Sequence, residues 1–208
     1  TGFARIYNVK NIRAQLAPMP FVTKSSGPFE ASISQNNFVN ASDAYTYNWA
    51  IIAIKHNINF SRNLSTIGMI IDPLVNVNLL NDIKLENSWY LKLDGTLVLN
   101  GKSQLVQTID SELDASSEGT IQRGQQGQSN IYNYNYWCSP VGLQGATTNN
   151  NSFTLNGVLR DGTNPSAIQN INWSNGLDGA PTSPITISSY WIFKFQNTGP
   201  IYANWSWV

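Results

Sequence analysis

Cysteine and histidine are each present only once in this chain of 208 residues, as Cys138 and His56. A single cysteine cannot form an internal disulfide, so no disulfide framework holds the fold. A single histidine rules out a zinc site with two histidine ligands, and a Ser-His-Asp triad would have to use His56. Because no Gly-x-Ser-x-Gly elbow surrounds any serine and Cys138 follows apolar Trp137, we expect a buried thiol and no activated nucleophile. The chain is therefore predicted not to be an enzyme.

Charged residues are also scarce, since they make up 12% of the chain and sum to a net charge of zero. A chain without a basic face cannot follow a phosphate backbone, so nucleic acid is not an expected partner. No apolar run is long enough to span a bilayer as a helix. The chain opens at Thr1 without a signal peptide, and we expect a mature or excerpted segment whose targeting signals lie outside it.

The abundant polar residues are Asn, Ser, Thr, Gln and Gly, and seven Trp and nine Tyr accompany them. Strands favour aromatic and β-branched residues, while turns favour Asn, Gly and Ser. No apolar stripe with a period of 3.6 residues is present, so no long helix is predicted. This composition is typical of extracellular all-β proteins.

The stretch from Trp89 to Gln107 has the clearest pattern. Apolar and polar residues alternate in Leu91–Leu93 and again in Leu97–Leu99, and the turn pairs Asp94-Gly95 and Asn100-Gly101 close the two runs. Alternation with a period of two indicates half-buried strands. Asp-Gly and Asn-Gly pairs supply the positive φ that tight turns need.

Similar runs recur upstream as two interleaved series, each with a spacing of roughly 12 to 18 residues. The first series is Ile58–Phe60, Val75–Leu79 and Leu91–Leu93, and the second is Thr66–Ile71, Ile83–Leu85 and Leu97–Leu99. Short strands that interleave at a loosely fixed period predict a short parallel β-solenoid, or β-helix, in which each strand stacks on its counterpart one coil earlier. An antiparallel meander has the same alternation and is the alternative.

The alternation also predicts which side chains face the interior of the solenoid. The predicted inward positions are Ile58, Phe60, Val75, Val77, Leu79, Ile83, Leu85, Leu91, Leu93, Leu97 and Leu99. The predicted outward positions are Asn59, Asn76, Asn78, Lys84 and Lys92. Val98 breaks the outward rule, which indicates that another layer covers that face.

Composition divides the chain into three segments. Residues 1–48 are broken by prolines and rich in polar residues, and they are predicted to be an irregular or edge segment. Residues 49–118 hold the predicted coils and begin with Trp49–Lys55, an apolar run consistent with a strand buried on both faces. Residues 119–208 do not repeat the coil pattern, and their short strands and Gly/Pro turns predict an aromatic-rich β-sheet or sandwich-like region. One of these predicted strands is Phe153–Leu159.

Carboxylates are the remaining candidates for a metal or catalytic site. The acidic segment Asp110–Glu118 has the oxygen ligands that calcium takes, but it lacks the spacing of an EF-hand loop, so a solvated loop is the favoured interpretation. Glu86 and Asp94 would form a catalytic pair if they approached each other across adjacent coils, although Asp94 fits a turn role better. We predict no metal, no cofactor and no catalytic residue.

Three tyrosines, Tyr132, Tyr134 and Tyr136, alternate with asparagines in a predicted strand and share one of its faces. One interpretation is a sugar-stacking platform, because aromatic faces bind the apolar faces of sugars. The other, which we favour, is a cap that covers the apolar end of the solenoid. The three tyrosines are candidate glycan-binding residues in the first interpretation only.

Several stretches of the chain resemble a recurrent module of large secreted proteins of Bacteroidota. These stretches are Leu85–Gln107, Gly119–Arg123, Tyr134–Val141 (Tyr-Asn-Tyr-Trp-Cys-Ser-Pro-Val), Gly157–Gly162 and Tyr190–Phe193. The resemblance covers roughly residues 51–208. The module typically has Ser where this chain has Cys138, which argues against a special role for the thiol.

The resemblance implies a route and a location. Proteins with this module are similar to type IX secretion cargo, which is exported across the outer membrane and is held at the cell surface or released. The implied partners are the type IX secretion machinery, other surface proteins or surface glycans, and no catalytic residue is implied. The expected function is that of a non-enzymatic extracellular module, structural or adhesive, in a larger protein. The alternative is a carbohydrate-binding or polysaccharide-cleaving β-solenoid domain.

Overall fold

The computed structural model describes residues 20–130, 132–137, 155–196 and 206–207. The chain divides into two compact units, Thr1–Asn135 and Tyr136–Val208.

Two parallel sheets lie in the first unit. The first sheet contains β1 (Phe21–Val22), β2 (Ile51–Ile54), β4 (Leu64–Ile71), β6 (Lys84–Leu93) and β8 (Gln104–Gln107) in that order, and β9 (Glu112–Leu113) also pairs with β6. The second sheet contains β3 (Ile58–Phe60), β5 (Asn76–Leu79), β7 (Thr96–Leu99) and β10 (Thr120–Arg123). From β2 to β8 the chain alternates between the sheets; β9 remains in the first sheet and β10 returns to the second. Each strand pairing in the two sheets is parallel. These strands form a parallel β-solenoid of about four turns over residues 51–123. The predicted solenoid is confirmed, and the antiparallel meander is excluded.

The coils after the first are longer than the sequence pattern predicted, whereas the step of 17 residues between β2 and β4 lies within the predicted spacing. The step from one coil to the next is 19 residues between β3 and β5 and 24 residues between β7 and β10. Because β10 pairs with β7, the last coil continues to Arg123, past the predicted segment end at residue 118.

The last strand of each predicted series was assigned to the wrong series. Leu93 pairs with Ile71 in the first sheet, whereas Leu97 pairs with Val77 in the second. The reason is that β6 runs for ten residues without a turn. The sequence has two alternating runs there, but they lie at the two ends of one long strand, so the chain changes sheets once fewer than predicted.

Aliphatic side chains fill the interior between the sheets. All of the predicted inward positions are buried, none of them more than 8% exposed. Burial of apolar surface contributes about 25 cal/mol per Å², so these stacked rows are the main source of stability in the unit. Val98 lies on the outer face between its strand neighbours Asn78 and Gln122, and it is half-buried there. The predicted strand in Trp49–Lys55 is also confirmed, since Ile52, Ala53 and Ile54 are all buried.

Two glycines stack at one corner of the solenoid, where a side chain would not fit. A Cβ atom on Gly95 would lie 2.3 Å from the carbonyl oxygen of Val75, and one on Gly119 would lie 2.2 Å from the carbonyl oxygen of Gly95. Gly101 has the positive φ predicted for its turn, +57°. Gly95 is instead required by the close approach of neighbouring coils.

An aromatic cluster closes the N-terminal end of the solenoid. The ring of Phe29 lies edge-on to Phe60 of the first coil at 4.5 Å between centroids, and it stacks on Tyr47 at 5.2 Å. Phe38 packs edge-on against the same ring at 5.7 Å. Phe29, Phe38 and Tyr47 are buried. The described part of the N-terminal segment therefore extends the first sheet through β1 and covers the end of the apolar core.

Short strand pairs make up the second unit. The antiparallel pairs are β11 (Arg160–Asp161) with β12 (Gln169–Asn170) and β15 (Phe195–Gln196) with β16 (Ser206–Trp207), and the parallel pair is β13 (Asn172–Ser174) with β14 (Thr186–Ser188). The predicted strand Phe153–Leu159 is wrong over its described residues, because α1 (Leu155–Val158) is one helical turn. The backbone N–H of Leu159 donates to the carbonyl of Leu155 at 2.8 Å, which closes that turn. Among the described residues, no helix is long and apolar enough to cross a membrane.

Candidate functional site

The three candidate tyrosines are exposed to solvent. Tyr132, Tyr134 and Tyr136 are 87%, 68% and 70% exposed. Residues 132–137 do not form the predicted strand; they adopt a turn, a bend and irregular chain. Local polar contacts set this conformation, since the side-chain oxygen of Asn130 accepts from the N–H of Tyr132 at 2.9 Å. Tyr132 and Tyr134 belong to the same unit as the solenoid, and their exposure does not fit the interpretation of these two rings as a cap on its end.

The acidic segment is partly built into the solenoid. Its residues 112–113 form β9, and Asp114 accepts hydrogen bonds from the hydroxyl (2.6 Å) and the backbone N–H (2.8 Å) of Ser116 and from the hydroxyl of Tyr90. The hydrogen bonds from Ser116 and Tyr90 lower the pKa of Asp114 to about 2. Burial, and then the hydrogen bond and negative charge of Asp114, raise the pKa of Tyr90 to about 12. The Asp114 carboxylate therefore joins adjacent coils.

Lys92 adds further hydrogen bonds to this polar contact between coils. Its ammonium donates to the hydroxyl (2.7 Å) and the carbonyl (3.0 Å) of Ser116 and lies 3.3 Å from the carboxylate of Asp94. Within the described residues, no group of three or more His, Cys, Asp or Glu side chains is arranged to hold a metal ion.

The catalytic pairing of Glu86 with Asp94 across adjacent coils, the less favoured interpretation of these carboxylates, does not occur. Glu86 lies near the start of β6 and Asp94 directly follows its end, so roughly 25 Å of extended chain separates them. Each carboxylate has a lysine partner nearby, Lys84 at 2.9 Å for Glu86 and Lys92 at 3.3 Å for Asp94. The two carboxylates cannot act on one bond.

The single histidine lies where the N-terminal segment meets the first coil. Its Nδ1 atom is 3.1 Å from the hydroxyl oxygen of Thr23, which also accepts a hydrogen bond from the N–H of Lys55 at 2.9 Å. His56 therefore joins the N-terminal segment to the solenoid. The prediction of a buried, unreactive Cys138 concerns a residue outside the described ones.

A small cleft lies beside the aromatic cluster. It has a volume of about 120 Å³ and is lined by Phe29, Glu30, Asn37 and Ile58 among others. A water molecule occupies about 30 Å³ in the liquid, and ligand pockets usually exceed 300 Å³. The cleft has room for a few waters and is too small for a sugar chain.

Amide side chains bridge neighbouring coils on the outer face of the second sheet. The amide of Asn78 donates to the side-chain oxygen of Asn59 at 2.9 Å, and the N–H of Asn76 donates to that of Asn57 at 2.8 Å. These side-chain hydrogen bonds join neighbouring coils, as the backbone hydrogen bonds between the strands also do, and they help to stabilise the stack.

A buried carboxylate anchors the second unit. Asp161 is 4% exposed and accepts hydrogen bonds from the N–H groups of Thr163 and Ile185, each at 2.9 Å. The hydrogen bonds from Thr163, and then the one from Ile185, lower the pKa of Asp161. The side chain thereby connects β11 to the segment that leads into β14.

The second unit also presents an exposed aromatic corner directly after β14. Tyr190 and Trp191 are 57% and 58% exposed, and their rings meet edge-to-face at 4.8 Å between centroids. The indole N–H of Trp191 donates to the carbonyl of Leu177 at 2.8 Å. Tyr190–Phe193 was noted in the sequence only for its resemblance to secreted modules, and these rings were not predicted to be a site. The sequence signal that could have identified this site is the adjacent Tyr-Trp pair, which follows two serines.

Comparisons of the chain with protein-family models, with curated proteins and with solved structures found no match.

Proposed function

We propose that the protein is a non-enzymatic extracellular module, structural or adhesive, of a larger protein exported by a type IX secretion system. The observation that carries the structural part of the proposal is the continuous coil-to-coil bonding of the solenoid. Leucine and isoleucine side chains stack inside it, while Tyr90 with Asp114 and Asn59 with Asn78 bridge coils outside it. A stack in which each repeat contacts its neighbours forms a semi-rigid rod, which suits a spacer.

Exposed aromatic side chains support the adhesive part of the proposal. Trp49 is 68% exposed in the first unit, and Trp191 is 58% exposed in the second. Aromatic residues are enriched at binding surfaces because they present large, rigid area at a low entropic cost. Low charge, amide-rich turns and the resemblance to secreted modules of Bacteroidota support the extracellular location and the secretion machinery as a partner.

Surface proteolysis of intact cells tests this proposal. Cells that produce the parent protein are treated with a protease, and the protein is followed with an antibody to the solenoid. We expect its loss from wild-type cells and its retention inside cells that lack type IX secretion. Survival of the protein on treated wild-type cells, with recovery from the cytoplasm, would contradict the proposal.

Carbohydrate binding is the second candidate function. The exposure of Tyr132, Tyr134 and Tyr136 favours it, because a stacking platform must present its rings to solvent. Because Glu86 and Asp94 are far apart, carbohydrate binding is favoured over carbohydrate cleavage. Titration of a glycan into the wild type and into the triple variant Tyr132→Ala, Tyr134→Ala, Tyr136→Ala tests this candidate. An unchanged affinity in the variant would show that these tyrosines do not bind the glycan.

A further inference from the structure

We propose that Tyr190 and Trp191 form a preformed stacking platform for a pyranose ring, and that the second unit binds β-linked glycans there. This inference rests on the proposed adhesive function, and it assigns the ligand class to a site that the sequence did not identify. Three features of the structure carry it: a turn fixed by hydrogen bonds, ring surface left in solvent, and a polar rim.

The turn that carries the two rings is held in place by the end of β13 and by the loop that follows it. The N–H of Ser189 donates to the carbonyl of Ser174 at 2.8 Å, and the hydroxyl of Ser189 donates to the same carbonyl at 3.0 Å. The N–H of Tyr190 donates to the hydroxyl of Ser188 at 3.2 Å, and Ser188 in turn donates to the carbonyl of Gly176. Binding therefore requires little ordering of the protein, which reduces the entropic cost of association.

The indole ring is oriented by its own polar atom. Because the N–H of Trp191 donates to the carbonyl of Leu177, the ring is fixed at one edge and its remaining surface is carbon. The edge-to-face contact with Tyr190 fixes the angle between the two rings at 77°. Each of the two residues nevertheless remains more than half exposed. The two ordered rings are therefore accessible to a ligand from solvent.

The size of the platform favours a sugar over a protein partner. Two aromatic side chains, each about half exposed, present on the order of 250 Å². A stable protein interface requires about 800 Å² on each partner. One or two pyranose rings match the smaller area, and sugars with equatorial hydroxyls present a flat face of C–H groups to such rings.

Polar side chains at the rim match the hydroxyls of a sugar. Asn175 and Ser189 lie next to the turn and are hydrogen-bonded to each other at 3.1 Å, and both are exposed, as is Asp178. In ligand sites, a few polar groups around an apolar surface fix the orientation of the ligand. Amide, hydroxyl and carboxylate groups provide both donors and acceptors for this purpose.

Titration of the full chain with cellohexaose and with chitohexaose tests the inference. Binding is followed by calorimetry and by tryptophan fluorescence. We expect at least one of the two oligosaccharides to bind, and Trp191→Ala to weaken that binding about tenfold or more, as expected for the loss of one stacking ring. Ile109→Ala removes a fully exposed apolar side chain from the first unit, and it should leave the affinity unchanged.

Two further variants keep the outcome clear. Tyr190→Ala should also weaken binding, and Trp191→Phe, which keeps a ring but loses the N–H, should retain an intermediate affinity even if Trp191→Ala does not fold. Failure of both sugars to bind, or equal affinity in Trp191→Ala and the wild type, would overturn the inference. Either result would leave the extracellular role open, because surface proteolysis tests that role independently. Binding of a purified surface protein in place of both sugars would overturn the glycan assignment.

Discussion

The hydroxyl of Tyr90 donates a hydrogen bond to the carboxylate of Asp114, which lies 24 residues later in the chain and one coil further along the solenoid. Asp114 also accepts two hydrogen bonds from Ser116, and Ser116 accepts from Lys92. Polar side chains therefore join the outer face of β6 to the next coil, while leucines join its inner face to the coils on either side.

Removal of the Asp114 carboxylate should have a pH-dependent effect on stability. Hydrogen bonds from Ser116 and Tyr90 hold its folded-state pKa at about 2, below the usual value of 3.8. A carboxyl group with a lowered folded-state pKa contributes stability that is present above its unfolded-state pKa and is lost as the pH falls through the folded-state value. Asp114→Asn should therefore lower the free energy of unfolding at pH 7 and have little effect near pH 2. Urea unfolding at both pH values measures this, and an equal loss at both would contradict it.

Removal of the Tyr90 hydroxyl should weaken the same contact. Tyr90→Phe leaves the ring in place and deletes one hydrogen bond, so we expect a loss of about 1 kcal/mol in the free energy of unfolding at neutral pH. The matched control is Tyr132→Phe, which deletes the hydroxyl of a ring that is 87% exposed. In a double-mutant cycle, Tyr90→Phe should cost less when Asp114→Asn is already present. Strictly additive losses would show that the two side chains do not interact.

A methyl group at the glycine corner should push neighbouring coils apart. Gly119→Ala places a Cβ atom 2.2 Å from the carbonyl oxygen of Gly95, and the other close atoms are also backbone, which cannot move aside as a flexible side chain can. We expect a loss of about 1 to 3 kcal/mol, as for overpacking in a core. Gly124→Ala is the control, because a Cβ atom there meets nothing within 4 Å. Thermal unfolding of both variants gives the comparison, and equal stabilities would be evidence against the close approach.

Truncation within the aromatic cluster should expose the first coil. Phe38 is 1% exposed and Phe38→Ala should cost about 3 to 5 kcal/mol, the usual range for a buried phenylalanine. The adjacent Val39 is 68% exposed, so Val39→Ala should change stability by no more than about 0.5 kcal/mol. Chemical unfolding measures both, and a small effect of Phe38→Ala would mean that residues 20–48 do not cover the core.

Local alternation was sufficient to predict the fold class and the direction of the side chains. Leu97 and Leu99 face inward and Lys92 faces outward because a strand fixes the direction of alternate residues wherever it lies in the sheet. Alternation does not say where a strand ends. The residues between Leu85 and Leu91 interrupt the apolar pattern, yet the backbone stays extended through them, and the predicted coils were too short for that reason.

Contacts between distant residues could not be predicted in the same way. Asp114 is separated from Tyr90 by one whole coil, and an acidic segment with serines is as typical of a solvated loop as of a bridge between coils. The role of Trp191 depends on a hydrogen bond to the carbonyl of Leu177, a backbone atom that no sequence pattern identifies. The exposure of Tyr132 could not be predicted either, because turns and strands tolerate the same alternation of tyrosine and asparagine.

The stacking of coils is the claim on which the fold and the proposed spacer role both depend. Leu93→Ala leaves a cavity beside Ile71 of the preceding coil, at an expected cost of about 2 to 5 kcal/mol. Lys92→Ala, next to it on the outer face, should cost under about 1 kcal/mol.

Hydrogen exchange of the two variants, read strand by strand, is the most direct measurement. Because each coil is stabilised by its interface with the next, Leu93→Ala should increase exchange in β4 as well as in β6, and Lys92→Ala should leave β4 unchanged. Increased exchange confined to β6 and β7 in the Leu93→Ala variant, with β4 fully protected, would contradict the stacked solenoid.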